Sequence, residues 1–510
     1  MKTIRLILGD QLNQNHSWFN TIDNDVVYLM AEMRQETDYV KHHIQKVVAF
    51  FLAMRSFKKD LSHQGHHFIY LELNDPNNLQ DLEKVISQCT IENNAEKFEY
   101  QLPDEYRLDQ QLLQICESLE IKSSCVDTEH FYTTRFELKD FYNGKKQMVM
   151  ENFYRMMRKK HQIMMINNQP EGGKWNFDQN NRKKWTGQPA IPSEKKFNQD
   201  VLEIIQEVKK ANVETFGNIE PESFNWPTSR TECLSNLNYF CKELLHHFGD
   251  YQDAMHENEK FLFHSRLSFA MNAKILSPKE VIDSVLNHFY EHAKEIDISQ
   301  VEGFVRQILG WREYMRGIYW KEMPKYKQLN ALNNTNKLPD FFWTGKTKMN
   351  CLKHAIGQSL DTAYAHHIQR LMVIGNFALL TQIDPNEVDK WYLGVYIDAI
   401  EWVEITNTRG MSQFADGGIV ATKPYVSSAN YINKMSNYCG NCHYSHTKKI
   451  GSNACPFNAL YWNFLETKKE HFKNNHRMTM ILSLLDRMDS GKLEELQERA
   501  TYIIEHMDDF

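Results

Sequence analysis

The sequence predicts a Rossmann-like α/β domain with a parallel sheet over residues 1–136, a basic connector over 137–200 and a large all-α domain over 201–510. Three observations predict it. Short apolar runs alternate with longer helical patterns through the first part of the chain, as a parallel sheet covered by helices requires. Near residue 137 both periods stop, and Gly, Pro, Asn and Lys accumulate. Beyond residue 200 the pattern is almost wholly helical.

The predicted strands are Ile4–Leu8, Val26–Met30, Phe68–Leu71 and Phe98–Tyr100. Helical patterns run between them over Tyr39–Phe57, Leu79–Gln88 and Tyr106–Leu119. Parallel sheets bind ligands at the carboxyl ends of their strands, which is where Gly9-Asp10 follows the first one. The connector is read as extended, broken by Gly172-Gly173, Gly187, Pro189 and Pro192. It carries 13 Lys/Arg against 5 Asp/Glu between Lys139 and Lys196, on a chain whose net charge is −7. Phe141, Tyr142, Phe153, Tyr154, Trp175, Phe177 and Trp185 are interleaved with these charges. Cations meet phosphates and aromatic faces stack on bases, although the same aromatics also serve as anchors for a linker. In the helical part, Ser277-Pro278-Lys279-Glu280 and Asp384-Pro385-Asn386-Glu387 each combine an N-cap, a proline at the first helical position and a glutamate three residues after the cap.

Hydrophobic residues at 42% and charged residues at 25% describe a soluble globular chain. No apolar run is long enough to span a bilayer, and Met1–Asp10 does not read as a signal peptide. A cytoplasmic monomer is therefore expected, and its nine cysteines are expected as free thiols or metal ligands.

The sharpest chemical signal is Cys439-Gly-Asn-Cys442 followed by Cys455-Pro456. Two thiolates spaced by two residues grip one metal centre from a tight turn, and Cys351 is the candidate fourth ligand by elimination. A Cys-Pro step recurs in iron–sulfur runs, while nearby His443 and His446 suit zinc, so spacing alone leaves both metals open. Cys89, Cys116, Cys125, Cys233 and Cys241 are scattered and expected as buried, inert thiols. Gly303, Gly310 and Gly317 recur every seven residues on one helix face, open to another backbone or to a flat ring, with Arg306, Trp311 and Arg312 around them. His366 and His367 project to different sides of a helix, and histidine suits acid work near neutral pH. The last region, Trp391 to Asp416, sets Asp398, Glu404 and Arg409 among Trp391, Tyr392, Tyr396 and Trp402.

Together these segments resemble the cryptochrome/photolyase family. Tyr251 and His264-Ser265-Arg266-Leu267-Ser268 resemble the family's flavin phosphate segment, Thr-Ser-x-Leu-Ser, with His in place of Thr. Glu302 to Tyr314, including Arg306, Trp311 and Arg312, resembles its Phe-Leu-Arg-Gln-(Leu/Ile)-x-Trp-Arg-Glu helix. His366-His367-Ile-Gln-Arg370 resembles the lesion-side helix of (6-4) photolyases. The opening Leu6-Ile-Leu-Gly-Asp-Gln-Leu12 and the four cysteines narrow the resemblance to the iron–sulfur bacterial branch, whose members are mainly prokaryotic (6-4) photolyases.

The resemblance implies FAD, a [4Fe-4S] cluster on Cys351, Cys439, Cys442 and Cys455, and a 6,7-dimethyl-8-ribityllumazine antenna near Asp10 and Glu36. It implies that Asp398 pairs with Arg370 at the flavin edge and that Glu404 faces flavin N5. The family tryptophan ten residues after the flavin Asp is Thr408 here, so Trp391, Tyr392 and Trp343 are the expected electron carriers. Leu371 stands where animal (6-4) enzymes have a second histidine, which leaves His367 as the expected acid. The implied activity is light-driven repair of (6-4) photoproducts in UV-damaged DNA, with Asp178, Arg182 and Lys183 on the DNA side. The rival is a cryptochrome-type photoreceptor on the same scaffold, since fold does not settle function.

Overall fold

A computed structural model describes residues 1–145 and 147–510; Lys146, within the predicted basic connector, lies outside the described residues. The strands of the first domain are β1 (Thr3–Leu6), β2 (Val26–Ala31), β3 (His42–His43), β4 (Phe68–Leu71), β5 (Lys97–Gln101) and β6 (Lys122–Val126). All but β3 form one parallel sheet in the order β4-β2-β1-β5-β6. Helices Leu82–Glu92 and Tyr106–Ser118 cover one face, burying Ile4, Leu6 and Phe98 against Val85, Leu112 and Ile115. Helix Ile44–His63 covers the other, and its core runs on into the helical part of the chain. The strand order reverses direction between β1 and β5, so a crevice opens beyond their carboxyl ends.

Two expectations about this domain need correction. The helix predicted from Tyr39 starts at Ile44, because His42–His43 pair in parallel with Thr215–Phe216 and His43 caps the helix by accepting from the Gln45 amide. Strand β6, absent from the sequence reading, is an edge strand with an exposed, polar sequence.

The domains are joined by a buried ion network. Lys274 Nζ sits 2.7 Å from Asp10 and 3.0 Å from Asp104, and Arg316 reaches Asp104 at 3.2 Å. The connector is not the extended segment expected. It holds helices Glu137–Phe141 and Met150–His161 and a short antiparallel pairing of Met165–Ile166 with Gln169–Pro170. Tyr142, Phe153, Tyr154 and Trp185 are buried, so they are anchors and not base-stacking platforms. The glycine face packs on this connector: a β-carbon at Gly310 would press on Met150 and Tyr154, and one at Gly317 on Leu138. That face therefore receives side chains of the connector, the Tyr154 ring among them. The two proline-containing helix starts form as predicted, with Ser277 accepting from the Glu280 amide and Asp384 from the Asn386 amide.

Candidate functional site

Four helices of the second domain contain a widened turn with i→i+5 bonding, at Phe240–Leu244, Arg306–Arg312, Gln369–Gly375 and Thr406–Ser412. Such turns are frequent at functional sites. Two of them cross where Gly375 leaves room for Ser412 and its carbonyl accepts from Gln413 Nε2 at 3.1 Å. This crossing sets Arg370 beside Asp398. The guanidinium bonds both carboxylate oxygens, at 2.9 and 3.1 Å, and lies 3.7 Å from the centre of the Tyr396 ring. Such a fork-on-fork pair fixes a carboxylate's orientation as well as its charge. Asn272 Nδ2 donates to the Asp398 carbonyl at 2.7 Å and anchors the same residue from a separate helix. Glu404 is buried, with one carboxylate oxygen unpartnered, and burial raises its pKa well above the usual carboxylate range.

His366 and His367 differ as their positions on the helix predict. His366 is buried, its ring stacked on His264 with centroids 4.5 Å apart, and neither of its nitrogens has a hydrogen-bond partner. His367 is solvent-accessible, yet it stands in a recess dense with protein. Desolvation there, and then the Arg370 charge, lower its pKa to about 4. Its ring is therefore neutral at pH 7 and offers one N–H and one lone pair, which narrows the acid expected from sequence to a neutral hydrogen-bond donor. Burial also lowers His43 and His264 to about 4.

These last two shifts predict a pH dependence of stability. Between a folded pKa of about 4 and the ordinary 6.5, the unfolded chain binds more protons than the folded one. Stability should therefore be fully present above pH 6.5 and fall on acidification toward 4. Thermal unfolding followed from pH 7 to pH 5 checks this, and a constant or rising midpoint would contradict it.

His264, Ser265 and Arg266 border a cavity of about 440 Å³ with Asn236, Tyr239 and Glu194. Arg266 does not point freely into it, because it is ion-paired to Glu194 and packs 4.6 Å from the Trp226 ring. The Tyr251 hydroxyl donates to the Gln188 carbonyl at 3.3 Å. Arg306 pairs with Glu302 at 3.3 Å and Asp178 at 3.2 Å and keeps Nη2 buried and unpartnered. Asn181 and Gln252, beside Gly303, also hold unpartnered buried polar atoms. Arg312, expected in the same cavity, turns away to the Met271 carbonyl and Asn272.

An aromatic row leads outward from the Arg370–Asp398 pair. The Tyr392 hydroxyl donates to the Arg370 carbonyl at 2.6 Å, and its ring lies 5.3 Å from that of buried Trp391. Trp391 Nε1 donates to the Phe342 carbonyl at 3.0 Å, and the next residue, Trp343, is 43% exposed. The row thus begins beside a partly buried ion pair and ends at water.

The four cysteines singled out by sequence border one small cavity, with Tyr438, Tyr444 and His446. Burial raises the Cys351 thiol well above its ordinary pKa, takes Cys455 to about 12 and Cys439 to about 11, and the neighbouring thiols add to each rise. Burial and mutual repulsion thus oppose thiolate charge at Cys351, Cys439 and Cys455, which a bound cation would offset. Of the scattered cysteines, Cys89, Cys233 and Cys241 are buried as expected; Cys116 is half-buried and Cys125 exposed, which corrects that reading.

A cavity of about 150 Å³ lies at the strand-order reversal, beyond the ends of β1 and β5. Asp10 and Glu36 both border it, with Tyr39, Lys46, Glu105 and Trp402. The Asp10 charge is committed to Lys274, and Glu36 pairs with Arg107 at 2.8 Å. Sequence reasoning missed Lys46 and Glu105. Burial brings Lys46 down to about 7 and Glu105 up to about 7, and Glu401 pushes Glu105 the same way. Neither gave a signal, since each is a charged residue in a helical pattern or a loop.

On the connector, Asp178 bridges Arg306 and the exposed Arg182, and Lys183 projects to solvent 2.7 Å from Asp250. No helix among the described residues is long and apolar enough to cross a membrane.

A parallel α/β domain followed by a helical domain with these buried polar clefts is the architecture of photolyases and cryptochromes. A class III photolyase from Agrobacterium tumefaciens superposes with a TM-score of 0.60 over 99% of this chain and 98% of that chain, at 14% identity. A Synechocystis cryptochrome gives 0.58 over 92% and 91%, also at 14% identity. At that identity the likeness is one of fold. Sequence goes further: a (6-4) photolyase of Agrobacterium fabrum is 39% identical over 512 residues, 100% of both chains. The family described as deoxyribodipyrimidine photo-lyase-related protein matches residues 5–226. The chain belongs to the cryptochrome/photolyase family.

Proposed function

We propose that this chain repairs (6-4) pyrimidine photoproducts in UV-damaged DNA, driven by light and using reduced FAD. The observation that carries the reading is the Arg370–Asp398 fork with His367 beside it in an accessible recess. The full-length likeness to a (6-4) photolyase supports it. The donor set fits FAD: unpartnered buried groups on Arg306, His264 and Glu404 await polar partners. Tyr251, His264–Ser268, Arg306, Asp398, Arg370 and Glu404 would hold it. When bound and reduced, FAD supplies one electron to the lesion on excitation.

The protein does the rest. Arg370, forked on Asp398, fixes the orientation of its carboxylate. Glu404, its pKa raised by burial, presents an unpartnered carboxylate oxygen that would bond to the flavin. A lesion base flipped out of the stack meets the His367 N–H. Arg182 and Lys183 contact phosphates, which fixes register without reading sequence. Trp391, Tyr392 and Trp343 carry electrons inward when the flavin is oxidised. Trp391→Phe keeps an aromatic ring in the core but removes the oxidisable indole and its bond to the Phe342 carbonyl. Photoreduction should then slow severely, with FAD content and repair by pre-reduced protein unchanged. Unaltered photoreduction kinetics in a flash experiment would assign the route elsewhere.

The four cysteines are proposed to hold a [4Fe-4S] cluster. Supporting it, all four border one cavity, and Cys455-Pro456 is the Cys-Pro step of iron–sulfur runs.

The cavity beyond β1 and β5 is proposed to take a ribityllumazine antenna. Its wall is mostly apolar, as a flat ring system needs, and Asp10 and Glu36 add polar points for a hydroxyl-bearing side chain. Glu36→Ala should remove the antenna absorbance and leave FAD in place. Full antenna occupancy in that variant would overturn the role of Glu36.

A further inference from the structure

We propose a second metal site, outside the flavin and cysteine regions, on the last turn of helix Pro278–Glu291: a surface site for a borderline transition-metal ion such as Ni²⁺ or Zn²⁺. Its ligands are His288, Glu291 and His292. They stand at i, i+3 and i+4, which brings all three to one helix face. One ligand atom from each lies within 4.8 Å of the other two, and the two imidazole rings are 4.3 Å apart between centroids.

The hydrogen bonding supports ligation independently of this spacing. His292 Nδ1 lies 2.9 Å from the His288 carbonyl, which can only accept, so Nδ1 carries the proton. That fixes the tautomer in which Nε2 presents its lone pair, the arrangement that orients imidazole ligands in metal sites. Lys242 and His246 also face the site and add repulsion toward a cation, which the Glu291 carboxylate offsets. Two imidazoles and one carboxylate are the donors that Zn²⁺ and Ni²⁺ accept. They differ from the all-thiol set around Cys351. Three protein ligands leave room for water, and the ion would staple the turn at which His292 ends the helix.

The test uses the untagged holoprotein, titrated with Ni²⁺ and, separately, Zn²⁺ by calorimetry, with iron content measured before and after. The expected result is one equivalent bound with iron unchanged. His288→Gln and His292→Gln should each weaken binding by about tenfold or more, and Glu291→Gln by less. These side chains are partly exposed, so the variants should fold as the wild type does, which their FAD content checks. No uptake by the wild type, unchanged affinity in both histidine variants, or metal uptake matched by iron loss would overturn the proposal.

Discussion

His367→Ala is expected to lower repair of a (6-4) lesion by about a hundredfold to ten-thousandfold, the range one positioned proton donor contributes. FAD content, iron content and DNA affinity should be unchanged, because the side chain makes no structural hydrogen bond of its own and stands exposed in the recess. The ring is neutral at pH 7, held down to about 4 by desolvation and the Arg370 charge. Repair by pre-reduced protein should therefore show no limb near pH 6.5 from this residue. His366→Ala is a different experiment: it removes a buried ring stacked on His264, and its cost should appear as lost stability. Equal repair by wild type and His367→Ala, measured under single turnover, would remove His367 from the reaction.

The second large effect is expected at the cysteines. Cys351 lies in helix Asn350–Thr362, while Cys439, Cys442 and Cys455 lie in the loop before helix Pro456–Thr467. All four belong to or pack against the same C-terminal core. A metal there ties segments far apart in sequence, and its binding energy is folding energy. Cys351→Ser or Cys455→Ser should abolish iron binding and leave most of the chain insoluble. In the soluble fraction, thermal unfolding should move well below that of the wild type. Iron analysis of wild-type protein supplies the independent control: stoichiometric zinc without iron would replace the cluster by a mononuclear site.

Much of the first domain was legible because its physics is local. Runs such as Val26–Ala31 are strands buried on both faces and read as continuous apolar stretches. Strand β6 was not, since Lys122–Val126 is an exposed edge whose pairing with β5, and not its own composition, makes it a strand. The true start of helix Ile44–His63 depends on pairing between His42–His43 and Thr215–Phe216, a contact no local pattern announces.

The same division holds at the site. The Arg370–Asp398 pair followed from resemblance alone, and its geometry depends on two widened turns crossing at Gly375 and Ser412. Spacing proposed three cysteines, and only folding brings Cys351 to the same cavity. The connector aromatics were ambiguous, because interleaved charge and aromatic character suits both base stacking and anchoring. Packing of Tyr154 and Met150 against Gly310 decides for anchoring. Lys46 and Glu105, brought together by the strand-order reversal, carried no signal in the sequence.

The central claim is tested most directly by illuminating pre-reduced protein with DNA carrying one defined (6-4) photoproduct and following the lesion by chromatography. The account predicts light-dependent restoration of the two thymines, with none in the dark and little with His367→Ala. Normal flavin photochemistry with no thymine restored by the wild type would contradict it, and would assign the scaffold to photoreception.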